Sequence, residues 1–95
     1  PASVIVDCSH GNSEKDYTRQ ADVLSSLCEQ IEQGQQAIRG VMLESHLVAG
    51  NQPVTEGQSL VYGQSITDAC LSLADTEPLL NLLAAAVRKA ADTRA

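Results

Sequence analysis

The sequence predicts an α/β fold in which two parallel strands are joined through a helical crossover. Three observations predict it. Two short apolar runs, SVIVD at 3–7 and AIRGVMLE at 37–44, are continuous rather than alternating, which is the pattern of strands buried on both faces. About 30 residues separate them, the length that a parallel connection requires. An apolar stripe of helical period lies between them.

The first strand, SVIVD, carries three β-branched residues and stops at Asp7. Ser13 followed by Asp16 has the capping-box form that opens a helix. Tyr17, Ala21, Leu24, Cys28 and Ile31 then recur at steps of three and four, predicting a helix of about 18 residues. Gly34 is placed to end that helix. The second strand follows, its start blurred by Arg39 and Gly40. From Ser45 to Thr67 the periodicity breaks, with Gly50, Pro53, Gly57 and Gly63 marking turns. Such a long connection is commonly functional. Asp75-Thr76-Glu77-Pro78 reads as the start of a final helix, with Leu79, Leu83, Val87 and Ala90 as its stripe and Leu80, Leu82 and Ala86 broadening it.

Composition narrows the function. With 95 residues, two Tyr and no Phe or Trp, any core is built from Leu, Val, Ile and Ala. A net charge of −6 without a Lys/Arg cluster argues against nucleic acid or an anionic membrane as partner. No apolar run is long enough to span a bilayer, and no signal-peptide pattern opens the chain. Cys8, Cys28 and Cys70 are odd in number, so a disulfide framework is not expected and a reducing cytoplasm is. Cys28 reads as core filler. Two strands and two helices leave sheet edges and one face bare, and a two-stranded sheet is marginal in water. The chain therefore reads as incomplete, and because residue 1 is Pro its natural start is expected elsewhere.

Both strands end in chemistry. Asp7-Cys8-Ser9-His10 follows the first and Glu44-Ser45-His46 the second. Parallel α/β folds gather their functional groups at the carboxyl ends of strands, and neighbouring strands lie only about 4.8 Å apart. His10 and Glu44 are ordinary ligands for a divalent transition metal, and the long connection offers a third in Asp68. Each has a plainer reading: His10 as a hydrogen-bonded turn residue, Glu44 as a solvated charge, Asp68 as a turn former or helix cap. Spacing leaves both readings open.

Three blocks add a resemblance. VDCSHGNS (6–13), GVMLESHLVAGNQ (40–52) and YGQSITDAC (62–70) closely resemble, in order and across essentially the whole chain, the C-terminal end of type I 3-deoxy-D-arabino-heptulosonate 7-phosphate (DAHP) synthases. The resemblance implies a (β/α)8 TIM barrel of which residues 1–95 are the C-terminal quarter, the last two βα units of a single catalytic domain. It implies the metal-dependent, aldol-type condensation of phosphoenolpyruvate with erythrose 4-phosphate to DAHP and phosphate, the first step of the shikimate pathway to aromatic amino acids. One divalent metal ion (Mn, Fe, Co or Zn) is then held by a cysteine, His10, Glu44 and Asp68. His10 is also expected to act catalytically, by assisting proton transfer or touching substrate. Asp7, Ser9, Asn12 and His46 are expected to orient ligands or substrate. The implied partners are the two substrates, the rest of the barrel and, at full length, further copies of the same chain.

The chain departs from that pattern in what it lacks. The cysteine ligand and a Lys-Pro-Arg-Thr stretch of the resembling enzymes lie upstream and are absent. Cys8 and Cys70 fall in blocks where another residue ligates, so neither is expected to replace it, although oxidation of Cys70 would disturb nearby Asp68. Lys15, Arg19, Arg39, Arg88, Lys89 and Arg94 do not sit where a phosphate cradle is expected. Alone, the chain is expected to be inactive with weak metal affinity. The competing reading is a small, non-catalytic metal-binding or regulatory α/β module acting as a dimer. A third is an inert structural or interaction domain that retains the motifs by descent.

Overall fold

The structure is a computed structural model that describes residues 3–13 and 16–94. Lys15 lies outside them. Val4–Asp7 (β1) pairs in parallel with Ile38–Met42 (β2), matching Ile5 to Gly40, Val6 to Val41 and Asp7 to Met42. Hydrogen bonds from Val4 N–H to the Ala37 carbonyl (2.8 Å) and from Cys8 N–H to the Met42 carbonyl (2.9 Å) extend the ladder at both ends. The helix Gln20–Glu32 (α1) makes the crossover between the two strands, as the spacing predicts.

The helix opens differently from the expected capping box. Asp16, not Ser13, provides the capping side chain, its Oδ1 accepting the Thr18 N–H at 3.0 Å at the start of a single 3-10 turn, Tyr17–Arg19, that leads into α1 without a side-chain cap of its own. Ser13 is drawn into the preceding turn, where its hydroxyl donates to the His10 carbonyl (3.2 Å). A serine hydroxyl readily satisfies a nearby backbone group in this way, in competition with helix capping. The far end behaves as expected. Gly34 has φ +103°, its N–H bonds the Ile31 carbonyl, and Gln35 N–H bonds the Gln30 carbonyl, which together form a Schellman motif.

The core lies on one face of the β1–β2 pair. Cys8, Leu24, Leu27, Cys28 and Ala86 are buried, and Val6, Ile38, Val41, Leu43, Leu79 and Leu83 pack against them. The stripe of α1 is therefore Leu24, Leu27, Cys28 and Ile31, with Tyr17 and Ala21 only half-buried at its edge. The opposite face is open. Ile5 is 74% exposed and Met42 on the same side is also exposed, whereas the apolar runs predict burial on both faces. The reason is that both helices contribute to the same core cluster, so the other face has no cover within the chain.

Residues 45–67, expected as an irregular connection, are folded. Ser45–His46 (β3) pairs with Leu71–Ser72 (β6), and Val48–Asn51 (β4) with Gln64–Ser65 (β5). Gly50 and Cys70 exchange two backbone hydrogen bonds of 2.8 and 3.1 Å. The Gln52 amide bonds both the N–H and the carbonyl of Val61, and the Gln64 amide bonds the Ala49 carbonyl. These bonds replace the regular ladder that so short a strand cannot make.

The last helix, Leu73–Arg94 (α2), begins two residues before Asp75. Ser72 acts as its cap, its Oγ accepting the Asp75 N–H at 3.1 Å, so Pro78 falls in the second turn instead of the first. Ala86 and Ala90 are its most buried residues, while Leu80, Leu82 and Val87 are exposed. The molecule measures 59 × 23 × 17 Å with a radius of gyration of 15.8 Å. A compact domain of about 100 residues has about 13 Å. Among the described residues no helix is long and apolar enough to cross a membrane.

Candidate metal centre

Three segments bring one side chain each to the same point. The first is the turn after β1. Cys8 is fully buried in the core and pins the turn, while Asn12 Nδ2 donates to the Asp7 carbonyl at 2.6 Å. His10 stands in the left-handed region, φ +51°, which non-glycine residues seldom occupy. Its carbonyl is held by Ser13, and its ring is left half-exposed.

The second is the residue pair after β2. Gln20 grips the backbone of Glu44 from the first turn of α1. Its Oε1 accepts the Glu44 N–H at 2.8 Å and its Nε2 donates to the Glu44 carbonyl at 3.3 Å. Leu71 N–H reaches the same carbonyl at 2.9 Å. Gln20 is completely buried, and sequence reasoning missed it. A signal existed, because positions 20, 24, 27/28 and 31 fit one buried helical stripe as well as the all-apolar series does.

The third is the end of the folded connection. Asn51 Nδ2 donates to the Thr67 carbonyl at 2.8 Å, and the Cys70 thiol donates to the Asp68 carbonyl at 3.4 Å. These contacts fix the backbone on both sides of the exposed Asp68 side chain.

His10 Nε2 lies 2.9 Å from Asp68 Oδ2 and 3.5 Å from Glu44 Oε1, and one ligand atom from each of the three falls within 4.8 Å of the others. This is the one group of three metal-capable side chains found among the described residues. A small cavity of about 60 Å³ adjoins it, bordered also by Ser9, Tyr17 and Gln20. On the other side of the ring, His10 Nδ1 lies 2.8 Å from Asp7 Oδ2 and 2.9 Å from Ser9 Oγ. Ser9 in turn donates both its N–H (2.8 Å) and its hydroxyl to Asp7 Oδ1.

The charges follow from these contacts. The hydrogen bond that the protonated ring donates to Asp7, reinforced by the one it donates to Asp68 and by the charge of Glu44, raises the His10 pKa to about 9. Burial, together with the adjacent Asp68 carboxyl, pushes Glu44 up. The bonds from Ser9 and His10 hold Asp7 below the usual carboxylate range. A proton on His10 Nε2 thus bridges groups that a divalent cation could bridge. The donor set, one imidazole nitrogen and two carboxylate oxygens, suits a first-row transition metal. Two ligands on one such ion lie at most about 4.4 Å apart. The 2.9 Å and 3.5 Å separations from His10 Nε2 to Asp68 and Glu44 fall inside that limit.

The remaining candidates lie elsewhere. Burial in the core raises the Cys8 thiol to about 11, and Cys70 is buried with its thiol turned to a backbone carbonyl. His46 accepts the Leu47 N–H through Nδ1. Arg19 pairs with Asp16 at 3.8 Å, and Lys89 with Glu32 at 3.3 Å.

Comparison with known proteins places this geometry in context. Residues 1–81 match the DAHP synthetase I family. The chain is 53% identical over 88 residues to the Phe-sensitive phospho-2-dehydro-3-deoxyheptonate aldolase of Escherichia coli K12, covering 93% of this chain and 25% of that protein. It is 54% identical over 87 residues to the Trp-sensitive enzyme of Salmonella typhi, covering 92% of the chain and again 25% of the relative. The solved structure of the phospho-2-dehydro-3-deoxyheptonate aldolase from Francisella tularensis SCHU S4 superposes with a TM-score of 0.87 at 49% identity, over 93% of this chain and 25% of that one. The chain spans about a quarter of the length of the relatives it matches.

Proposed function

Because the chain belongs to the DAHP synthetase I family, we propose that it is the C-terminal quarter of a DAHP synthase. On this reading residues 1–95 are the last two βα units of one (β/α)8 catalytic barrel. The complete enzyme condenses phosphoenolpyruvate with erythrose 4-phosphate to DAHP and phosphate. The observation that carries the proposal is the convergence of His10, Glu44 and Asp68 from three separate segments, two of them following directly on parallel strands.

These three residues hold a divalent cation, with a fourth ligand from elsewhere in the barrel. When bound, the cation supplies Lewis acidity for polarising the aldehyde carbonyl of erythrose 4-phosphate. Glu44 and Asp68 bring the negative charge that attracts it, and Gln20 fixes Glu44 by its backbone, so that residue's entry into the site needs only side-chain rotation. The half-exposed ring of His10 borders the cavity and is open to contact with substrate. Ile5 and Met42, exposed on the uncovered face of the strand pair, belong to the surface that the rest of the barrel covers. That face also accounts for the expectation that the isolated chain is inactive. A dimer of this chain would cover the same face, but a quarter-length match to each relative favours the barrel.

The test is His10→Ala in the complete polypeptide, with metal content and turnover measured on the same preparation. The proposal expects both to fall together by at least tenfold. Full turnover with full metal content would overturn it.

A further inference from the structure

Asp68 stands at the middle of an arch. Residues 66–69 run as a bend between β5 and the Gly50–Cys70 bridge, and both feet of the bend rest on residues 50–52. At one foot Gln52 N–H donates to the Ser65 carbonyl at 2.9 Å. At the other, Gly50 and Cys70 exchange their two backbone hydrogen bonds. Between the feet Thr67 is held at both ends of its backbone. Its N–H donates to Ser65 Oγ at 3.1 Å, and its carbonyl accepts from Asn51 Nδ2 at 2.8 Å. A carbonyl oxygen only accepts, so the Asn51 amide turns its NH2 end to it.

We propose that Asn51 is a positioning residue for Asp68, setting where that carboxylate stands relative to His10 and Glu44. This deepens the metal-site reading and rests on it for the consequence in metal affinity. A peptide group is planar, so the Thr67 carbonyl oxygen, the Asp68 nitrogen and the Asp68 Cα share one plane. Holding that oxygen therefore fixes the direction in which the chain enters Asp68. His10 and Glu44 come shortly after two paired strands, whereas Asp68 lies within the bend. Its place is set by single contacts instead of a ladder.

Gly50 makes this prop possible. Its φ of +86° turns the chain from the antiparallel bridge with Cys70 into the parallel register of Asn51 with Ser65. Asn51 then lies beneath the arch, while its exposed position keeps it out of the core. Alanine at position 51 removes the donor to the Thr67 carbonyl and leaves both feet in place, because those are backbone bonds. The middle of the arch is then free to shift, and Asp68 loses its fixed approach to a cation held by the other ligands. The net worth of one such hydrogen bond corresponds to about two- to tenfold in an equilibrium constant.

The experiment uses the complete polypeptide in a double-mutant cycle of Asn51→Ala and Asp68→Ala, titrated with Zn²⁺ alone. A second readout, ¹⁵N relaxation of the Thr67 and Asp68 amides without added metal, reports the order of the bend. With Asp68 in place, Asn51→Ala is expected to weaken Zn²⁺ binding about two- to tenfold. In the Asp68→Ala background it is expected to change nothing, because Asn51 acts through that carboxylate. The order parameters of the two amides are expected to fall in Asn51→Ala from about 0.85 towards about 0.6. Where Asp68→Ala weakens binding, equal losses in both backgrounds, or no loss with Asp68 in place, would overturn the proposal. Unchanged order parameters would overturn it in every case. Zn²⁺ binding unaltered by Asp68→Ala would instead overturn the metal-site reading, and loosened amides in Asn51→Ala would then still uphold the positioning of Asp68 by Asn51.

Discussion

His10 is held from both sides by acids, and that arrangement sets how the site answers to pH. Asp7 and Asp68 bond its two nitrogens and Glu44 adds charge, so its pKa rises from the ordinary value near 6.5 to about 9. A raised value means that the folded protein favours the charged ring. This contribution to stability is fully present below about 6.5 and is lost as pH rises through about 9. A cation runs the other way, because it must displace the proton before it can bind Nε2. Apparent metal affinity in the complete protein is therefore expected to climb by about tenfold per pH unit from about pH 6 to 8. A Zn²⁺ titration series checks this, and an affinity that is flat over the range would contradict it. The residue types at 10, 44 and 68 were legible as ligand chemistry from the sequence. The adjacent strand ends of His10 and Glu44 were legible as well, whereas the place of Asp68 was not fixed by spacing, since a residue on a separate connection has no set interval.

Helix α1 does more than bridge two strands; through Gln20 it locks the end of β2. The glutamine gives both ends of its amide to the Glu44 backbone, from a position with no exposure to solvent. Gln20→Leu fills similar space but leaves the Glu44 N–H without this partner. Leaving a buried donor unsatisfied costs about 1–3 kcal/mol. The complete protein is expected to lose about 1–3 kcal/mol of unfolding free energy, read as a lower urea midpoint at unchanged slope, with weaker metal binding, and an unchanged midpoint would show that the clamp is incidental.

Among the elements, those with strong local signals were readable. SVIVD formed a strand, the Leu24-Cys28-Ile31 stripe formed the buried side of α1, and Gly34 ended it. Elements set by single contacts were not. The start of α2 is fixed by Ser72 although Asp75-Thr76-Glu77-Pro78 carries a louder start signal. The two-residue strands β3, β5 and β6 are too short to show any period, and they depend on partners far along the chain. Gln20 escaped notice because a polar residue on an apolar stripe reads as the edge of the stripe until its partner is visible.

As a whole, the molecule looks like a slice. One face of its sheet is packed and the other, led by Ile5, is bare, while the extent of 59 Å in one direction exceeds that of a closed domain of this length. The incomplete cover was legible in the sequence as a shortage of strands and helices. Which surface stays open followed only from the register, because Ile5 sits beside Gly40 on the side away from both helices. The same slice brings three candidate ligands, His10, Glu44 and Asp68, to one point. A crystal of the complete polypeptide grown with Mn²⁺, with anomalous diffraction recorded at the manganese edge, tests their role most directly. The account predicts one anomalous peak bonded to His10 Nε2, Glu44 and Asp68 at about 2.0–2.2 Å. A peak that leaves any of the three unbonded, while their segments are well ordered, would contradict it.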